Sequence, residues 1–258
     1  MKILAIIGSP KKKGNTYHVV EKIKEQLLCM DENINWEYLF LQDCDLKMCR
    51  GCFNCIGKGE DKCPLCDDRS AIEARMLEAD GIIFASPNYA MGVPGLMKNF
   101  IDRFAYTLHR PCFFDKAFLA VTTSGGPVGI KQTLNQLAIL STGGKGVQKL
   151  GVSMPPVPMK GSGRKTAKSI VKAAGAFYHT MQKPGRKVPG FMDWAYFHSF
   201  KTMSAFQSYQ KECPADHQYY GGKTEYFYPL DGHGLRRLGG KAVRGLMRAG
   251  MKLMVDER

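Results

Sequence analysis

The first 150 residues alternate short apolar runs with amphipathic helical patterns, and that alternation leaves few folds open. Residues 2–8 read as a buried strand, and residues 15–30 as a helix with Val19, Val20, Ile23, Leu27 and Leu28 on one side. A second strand is predicted at 34–41, a helix at 70–78 and a third strand at 81–86. A helix at 93–108, a strand at 117–123, a helix at 130–141 and a fifth strand at 147–152 complete the series. Strands that are apolar without alternation imply burial on both faces, hence a parallel sheet covered by helices. Right-handed crossovers distribute those helices over both faces. The expected domain is therefore a doubly wound α/β fold of five parallel strands in the order 2-1-3-4-5, with its ligand at the carboxyl ends of the strands.

Beyond residue 153 the pattern changes. Pro155, Pro156 and Pro158 interrupt regular structure, and Gly161, Ser162 and Gly163 follow. A helix at 165–181, an aromatic-rich stretch at 191–209, a Tyr/Gly-rich stretch at 218–228 and a basic helix at 235–254 come next. The expected organisation is a ligand-binding domain at 1–153, carrying a cysteine-rich insertion at 44–68, and a helical extension at 154–258. The extension is expected to pack on that domain or on a second subunit. Charge divides the same way. Of the net +14, residues 1–150 hold 19 basic against 16 acidic groups, and the remainder 18 against 7. A basic surface of this kind favours anionic partners, although no recognised nucleic-acid motif accompanies it. The apolar start is too short for a secretory signal, and residues 81–97 hold two prolines and polar groups, so neither reads as a leader or a membrane span. The expected location is the cytoplasm.

Three loops carry the candidate chemistry. Gly8-Ser9-Pro10-Lys11-Lys12-Lys13-Gly14-Asn15-Thr16 joins the first strand to the first helix. A phosphate there meets unpaired N–H groups and the positive end of the helix dipole. The segment contains neither G-x-G-x-x-G nor G-K-[ST], so it is not the fingerprint of a dinucleotide fold or a Walker loop. A monophosphate fits it, with Ser9, Lys11, Asn15 and Thr16 as candidate contacts; an ordinary capped turn is the alternative. After the third strand, Pro87-Asn88-Tyr89-Ala90-Met91-Gly92 offers rigid, flat and polarizable surfaces, with Gly92 admitting a close ligand. After the fourth strand, Thr123, Ser124, Gly125 and Gly126 offer hydroxyls and backbone N–H groups.

Gly-Ser-Pro-x-x-x-Gly-Asn-Thr and the longer run at 85–103, ending in Lys98-Asn99-Phe100-Ile101-Asp102-Arg103, resemble the NADPH-dependent FMN reductase and flavodoxin-like superfamily. The resemblance covers about residues 1–150. It implies a flavodoxin-like fold, FMN as cofactor and NAD(P)H as co-substrate. The first loop would take the phosphate, the second would lie along the isoalloxazine ring, and the third would bond the pyrimidine edge, where flavin electronics are tuned. It also implies a homodimer or higher homo-oligomer. No side chain is expected to act as acid or base, because the cofactor supplies the chemistry.

Nine cysteines are present, five of them in the run Cys49-x2-Cys52-x2-Cys55-x7-Cys63-x2-Cys66. Without a secretory signal this spacing points to metal or redox use rather than disulfides. The segment is similar to that of archaeal-type iron–sulfur flavoproteins, which implies Cys49, Cys52, Cys55 and Cys63 as ligands of a [4Fe–4S] cluster, with Cys66 as a rival for the last place. Zinc and a metal-free role stay open. The expected function is an FMN-dependent NAD(P)H oxidoreductase that passes hydride to bound FMN and electrons on to an acceptor, with the cluster as a candidate relay. A non-enzymatic flavodoxin-like electron carrier is the alternative. The six histidines show no metal spacing and are read as structural.

Overall fold

A computed structural model describes residues 1–157 and 160–230, together with Val243 and Gly245. Pro158 and all but those two residues of the basic stretch at 235–254 lie outside the described residues. Five strands form one sheet: β1 (Lys2–Ile7), β2 (Asn35–Phe40), β3 (Gly81–Pro87), β4 (Ala117–Ser124) and β5 (Gly146–Ser153). All pairings are parallel and the order is β2-β1-β3-β4-β5, as the sequence pattern predicts. The helices are α1 (Asn15–Met30), α2 (Asn54–Gly57), α3 (Arg69–Glu78), α4 (Gly95–Arg103), α5 (Tyr106–His109), α6 (Ile130–Ala138) and α7 (Ser162–Gln182). Then come α8 (Phe191–Met203), α9 (Gln207–Glu212) and α10 (Pro214–Gly221).

The pleat explains the unbroken apolar runs, because successive side chains point to opposite, equally buried faces. On one face Ile3, Ala5 and Ile7 of β1, Ile83 and Ala85 of β3, and Leu119 and Val121 of β4 share a core with Val19, Val20, Ile23 and Leu27 of α1. The same core includes Ile170, Ala173, Ala174, Phe177 and Met181 of α7, a helical spacing that presents one apolar stripe. On the other face Phe84 meets Phe118 at 5.7 Å and Phe100 of α4 at 6.0 Å between ring centroids. Helix α6 also lies on that face. Gly151 of β5 has no side chain where α6 descends, and a Cβ there would stand 2.2 Å from Ile130 Cγ2.

The helix expected at 93–108 is two helices. The chain turns at Phe104, whose N–H reaches back to both Phe100 and Ile101 carbonyls, and α5 starts afresh beyond it. The apolar spacing runs through both and hides this break.

The described chain divides into two compact units. The first comprises residues 1–49, 67–104 and 113–187, and so contains the whole sheet and α7. The second comprises residues 50–66, 105–112 and those from 188 on. Within the second unit, Trp194, Phe197, Tyr220, Tyr226 and Phe227 are buried against one another. Its polar centre is Asp216, fully buried, which pairs with Arg110 and accepts hydrogen bonds from the Tyr209 hydroxyl at 2.7 Å and from His109 Nδ1 at 2.8 Å. Burial would raise this carboxyl, but the His109 and Tyr209 hydrogen bonds and the Arg110 charge hold it below the usual carboxylate range.

Phe177 is fully buried in the core that α7 closes over the sheet. Phe177→Ala is expected to cost about 3–5 kcal/mol of unfolding free energy, read as a lower denaturant midpoint. A loss below about 1 kcal/mol would mean that α7 does not cover the sheet.

Candidate functional site

Parallel register brings the ends of β1, β3 and β4 to the same edge of the sheet, and backbone bonds carry the ladders one step into the loops. Gly8 N donates to Ala85 O at 2.8 Å, and Asn88 N donates to Thr123 O at 2.8 Å. The three loops enclose a polar cleft of about 370 Å³ within the first unit. Ser9, Lys11, Asn15 and Thr16 line it, with Pro87, Asn88 and Tyr89 from the second loop and Thr123, Ser124 and Gly125 from the third. Ala90, Met91 and Gly92 follow Tyr89 beyond the lining, as Gly126 follows Gly125. Gly14 of the first loop lines it too, as do Lys13, which the sequence did not mark as a contact, and His18, which it marked as structural. His18 stands four residues after Gly14, on the side of α1 that opens to the cleft; that helical spacing was the available signal.

The phosphate-loop end favours an anion. Gly14 is the N-cap of α1, no side chain caps the helix, and its first turn holds no acidic residue. The leading N–H groups therefore face the cleft end without side-chain acceptors. Lys11, Lys13 and His18 add basic groups, and no carboxylate is among the described lining residues. Lys12 turns away to pair with Asp43 at 2.6 Å. The Ser9 hydroxyl folds the loop on itself, donating to Lys11 O at 3.0 Å and accepting from Lys11 N at 3.1 Å. Thr16 and Thr123, both buried, are joined hydroxyl to hydroxyl at 2.8 Å, tying the first loop to the third.

The second loop is strained. Tyr89 and Gly92 exchange backbone hydrogen bonds of 2.8 and 3.0 Å around a two-residue turn. Its central residues, Ala90 and Met91, have φ of 48° and 66°. Turns with both central residues left-handed favour Asn-Gly, and Ala and Met meet a steric cost of about 1–2 kcal/mol each. Asn88 fastens the base of this turn: its Nδ2 donates to Ser124 Oγ at 2.9 Å and to Val128 O at 2.8 Å.

The cysteine segment begins and ends on a buried clamp. Asn99 and Arg103, four apart on α4, share a helix face. Cys49 N donates to Asn99 Oδ1 at 2.9 Å, and Asn99 Nδ2 donates to Leu46 O at 3.0 Å. Arg103 donates to Lys47 O at 2.8 Å and forms a bidentate pair with Asp67, both side chains being 1% exposed. Burial would raise the Asp67 carboxyl, but Arg103 and the Arg69 and Lys47 N–H groups hold it below the usual range. Cys49 belongs to the first unit, and Cys52, Cys55, Cys63 and Cys66 belong to the second. There Arg110 donates to Ile56 O at 2.8 Å and to Cys55 O. All nine cysteines are free of disulfides. Among the described residues no three His, Cys, Asp or Glu side chains are gathered at metal-binding distance.

Comparison with known proteins adds lineage to this geometry. The family model described as NADPH-dependent FMN reductase matches residues 1–151. An iron–sulfur flavoprotein of Methanocaldococcus jannaschii is 42% identical over 103 residues, which is 40% of this chain and 51% of that protein. One from Clostridioides difficile is 33% identical over 146 residues, 56% of this chain and 64% of that protein. The chain thus spans about half the length of the curated relatives it matches first. Among solved structures, an NAD(P)H:quinone oxidoreductase from Methanothermobacter marburgensis shares the fold. Its TM-score is 0.50 at 18% identity, over 72% of this chain and 99% of that one.

Two outcomes follow from the loop and the clamp. Replacing Ala90→Asn and Met91→Gly together is expected to stabilise the ligand-free protein by about 1–2 kcal/mol, seen as a higher Tm, because the new pair accepts left-handed φ. Asp67→Asn is expected to cost about 3–5 kcal/mol at pH 7, since it strands a buried guanidinium. The folded-state pKa of Asp67 is depressed, so its contribution is complete above about pH 3.9 and fades as the pH falls from there through the folded value. Denaturant midpoints of parent and variant should therefore converge in acid.

Proposed function

This chain belongs to the NADPH-dependent FMN reductase family, and we propose that it is an NAD(P)H-dependent FMN oxidoreductase that delivers electrons to a further acceptor. The observation that carries the reading is the single cleft formed by loops from three adjacent strands, cationic and rich in N–H donors at one end and lined by hydroxyls at the other. Those groups fit a flavin mononucleotide in chemistry. The N-terminal turn of α1 with Lys11, Lys13, Asn15 and Thr16 would hold the phosphate. Pro87, Asn88 and Tyr89, with the turn Ala90–Met91 and Gly92, would border the ring. Thr123, Ser124, Gly125 and Gly126 would orient its polar edge.

When bound, FMN supplies hydride acceptance from a nicotinamide and onward electron transfer. The chain's own residues would bind and orient: N–H groups and lysines would neutralise the phosphate, and the second loop, held through Asn88 and Val93, would present its backbone in one conformation. No lining group needs to move a proton.

For the cysteine segment we propose a [4Fe–4S] site with Cys49, Cys52, Cys55 and Cys63 as ligands and Cys66 as the rival for the fourth. The names of the iron–sulfur flavoproteins this chain is similar to support this, as does a run of cysteines that form no disulfide.

Titration with FMN should quench flavin fluorescence to a one-to-one endpoint, and NADPH or NADH should then bleach the flavin band anaerobically. Replacing Lys11→Ala and Lys13→Ala together should weaken FMN about tenfold while leaving riboflavin nearly unaffected, because only the phosphate is lost as a partner. Fluorescence left unquenched by the parent protein would overturn the assignment. Bleaching only by a reduced protein donor would instead make the chain a carrier. Anaerobically purified protein should contain about four iron and four sulfide per chain, lost in Cys52→Ser and Cys55→Ser; iron-free protein removes the cluster alone.

A further inference from the structure

Nothing local explains why Ala90 and Met91 adopt left-handed φ. Neither residue prefers it, so their surroundings must impose it. Those surroundings are one face of α6. Thr133 and Gln136, three apart and thus on the same side of the helix, reach the two ends of the loop. Before the turn, the buried Thr133 hydroxyl lies 2.9 Å from Asn88 Oδ1 and from its own helix carbonyl, Gly129 O. After the turn, Val93 N donates to Gln136 Oε1 at 2.9 Å. Gly129, at φ +82°, permits the approach: a Cβ there would stand 2.7 Å from Asn88 Nδ2 and 2.8 Å from Met91 Cα. The turn is therefore gripped on both sides, while Tyr89, inside the same loop, lines the cleft.

Resting on the flavin reading above, we propose that α6 is a positioning element for the cofactor. Thr133 and Gln136 hold the Ala90–Met91 turn left-handed, and so set which backbone groups of that loop face the flavin. Neither residue lines the cleft; both act through the loop. Released from the clamp, Ala90 and Met91 relax toward negative φ, which rotates the peptide groups between Tyr89 and Gly92 away from the bound arrangement.

The test measures FMN affinity by fluorescence quenching and the shape of the bound flavin's absorption band. Gln136→Leu and Thr133→Val are each expected to weaken FMN about tenfold, the worth of one lost hydrogen bond at a site that must stay ordered, and to alter the band. Thr133→Ser keeps the hydroxyl and should match the parent. In a protein already carrying Ala90→Asn and Met91→Gly, adding Gln136→Leu should change affinity by less than about threefold, because that pair holds the turn without help. A lesion that acted only by loosening α6 would cost the same in either background. Folded Gln136→Leu and Thr133→Val proteins with parental affinity and spectrum would overturn the proposal, and so would a tenfold loss from Gln136→Leu in the Asn-Gly background. A parent protein that binds no FMN would instead remove the reading on which it rests.

Discussion

The parallel ladder joining β1, β3 and β4 is the interaction on which the rest depends. Ile7 pairs with Ala85, and Pro87 pairs with Thr123 one residue before β4 ends, so the three strands end within a few residue steps of each other. Burial of β3 along its whole length enforces that register, because a slip of one residue would exchange its two apolar faces against different helices. Strand ends at the same edge of the sheet bring three separate loops to one cleft. The two backbone bonds beyond the sheet, at Gly8 and Asn88, carry the alignment into the loops themselves.

Polar groups are placed where the chain leaves that ladder. Asp67 and Arg103 meet in nearly complete burial at the stems of the cysteine segment, and Asp216 gathers Arg110, His109 and Tyr209 inside the second unit. Buried pairs of this kind add little net stability over apolar packing, yet losing one partner is costly. Their effect is to specify which chain segments meet. The run at 98–103 reads in sequence as the helix that follows a cofactor loop; in the structure it is that helix, and its Asn99 and Arg103 also carry the base of the cysteine segment.

The cleft joins an anion-favouring end to an end of hydroxyls, and the loop between them is held in a conformation its own residues disfavour. Strain of this sort persists only where neighbours over-determine the backbone. Here the neighbours are Asn88 and its partners, with the face of α6 beneath.

Much of this was legible in the chain. Apolar runs set against helical spacing specify β1, β3 and β4, helix α1 to the residue, and the strand order, because burial on both faces leaves a one-dimensional trace that crossover handedness then orders. The glycines and hydroxyls of the three loops are local signals as well, since turn chemistry belongs to adjacent residues. Other features have no such trace. Phe104 ends a helix whose apolar spacing continues into α5, because spacing records burial and not the hydrogen bonds that close a helix. Lys13 joins the cleft through the fold of the first loop, and of the six histidines only the turn of α1 selects His18 for the lining. Thr133 and Gln136 reach Asn88 and Val93 across more than forty residues of chain. Composition and periodicity are properties of neighbours along the chain; which helix face meets which loop is decided only when the sheet is assembled and its crossovers bring distant segments together.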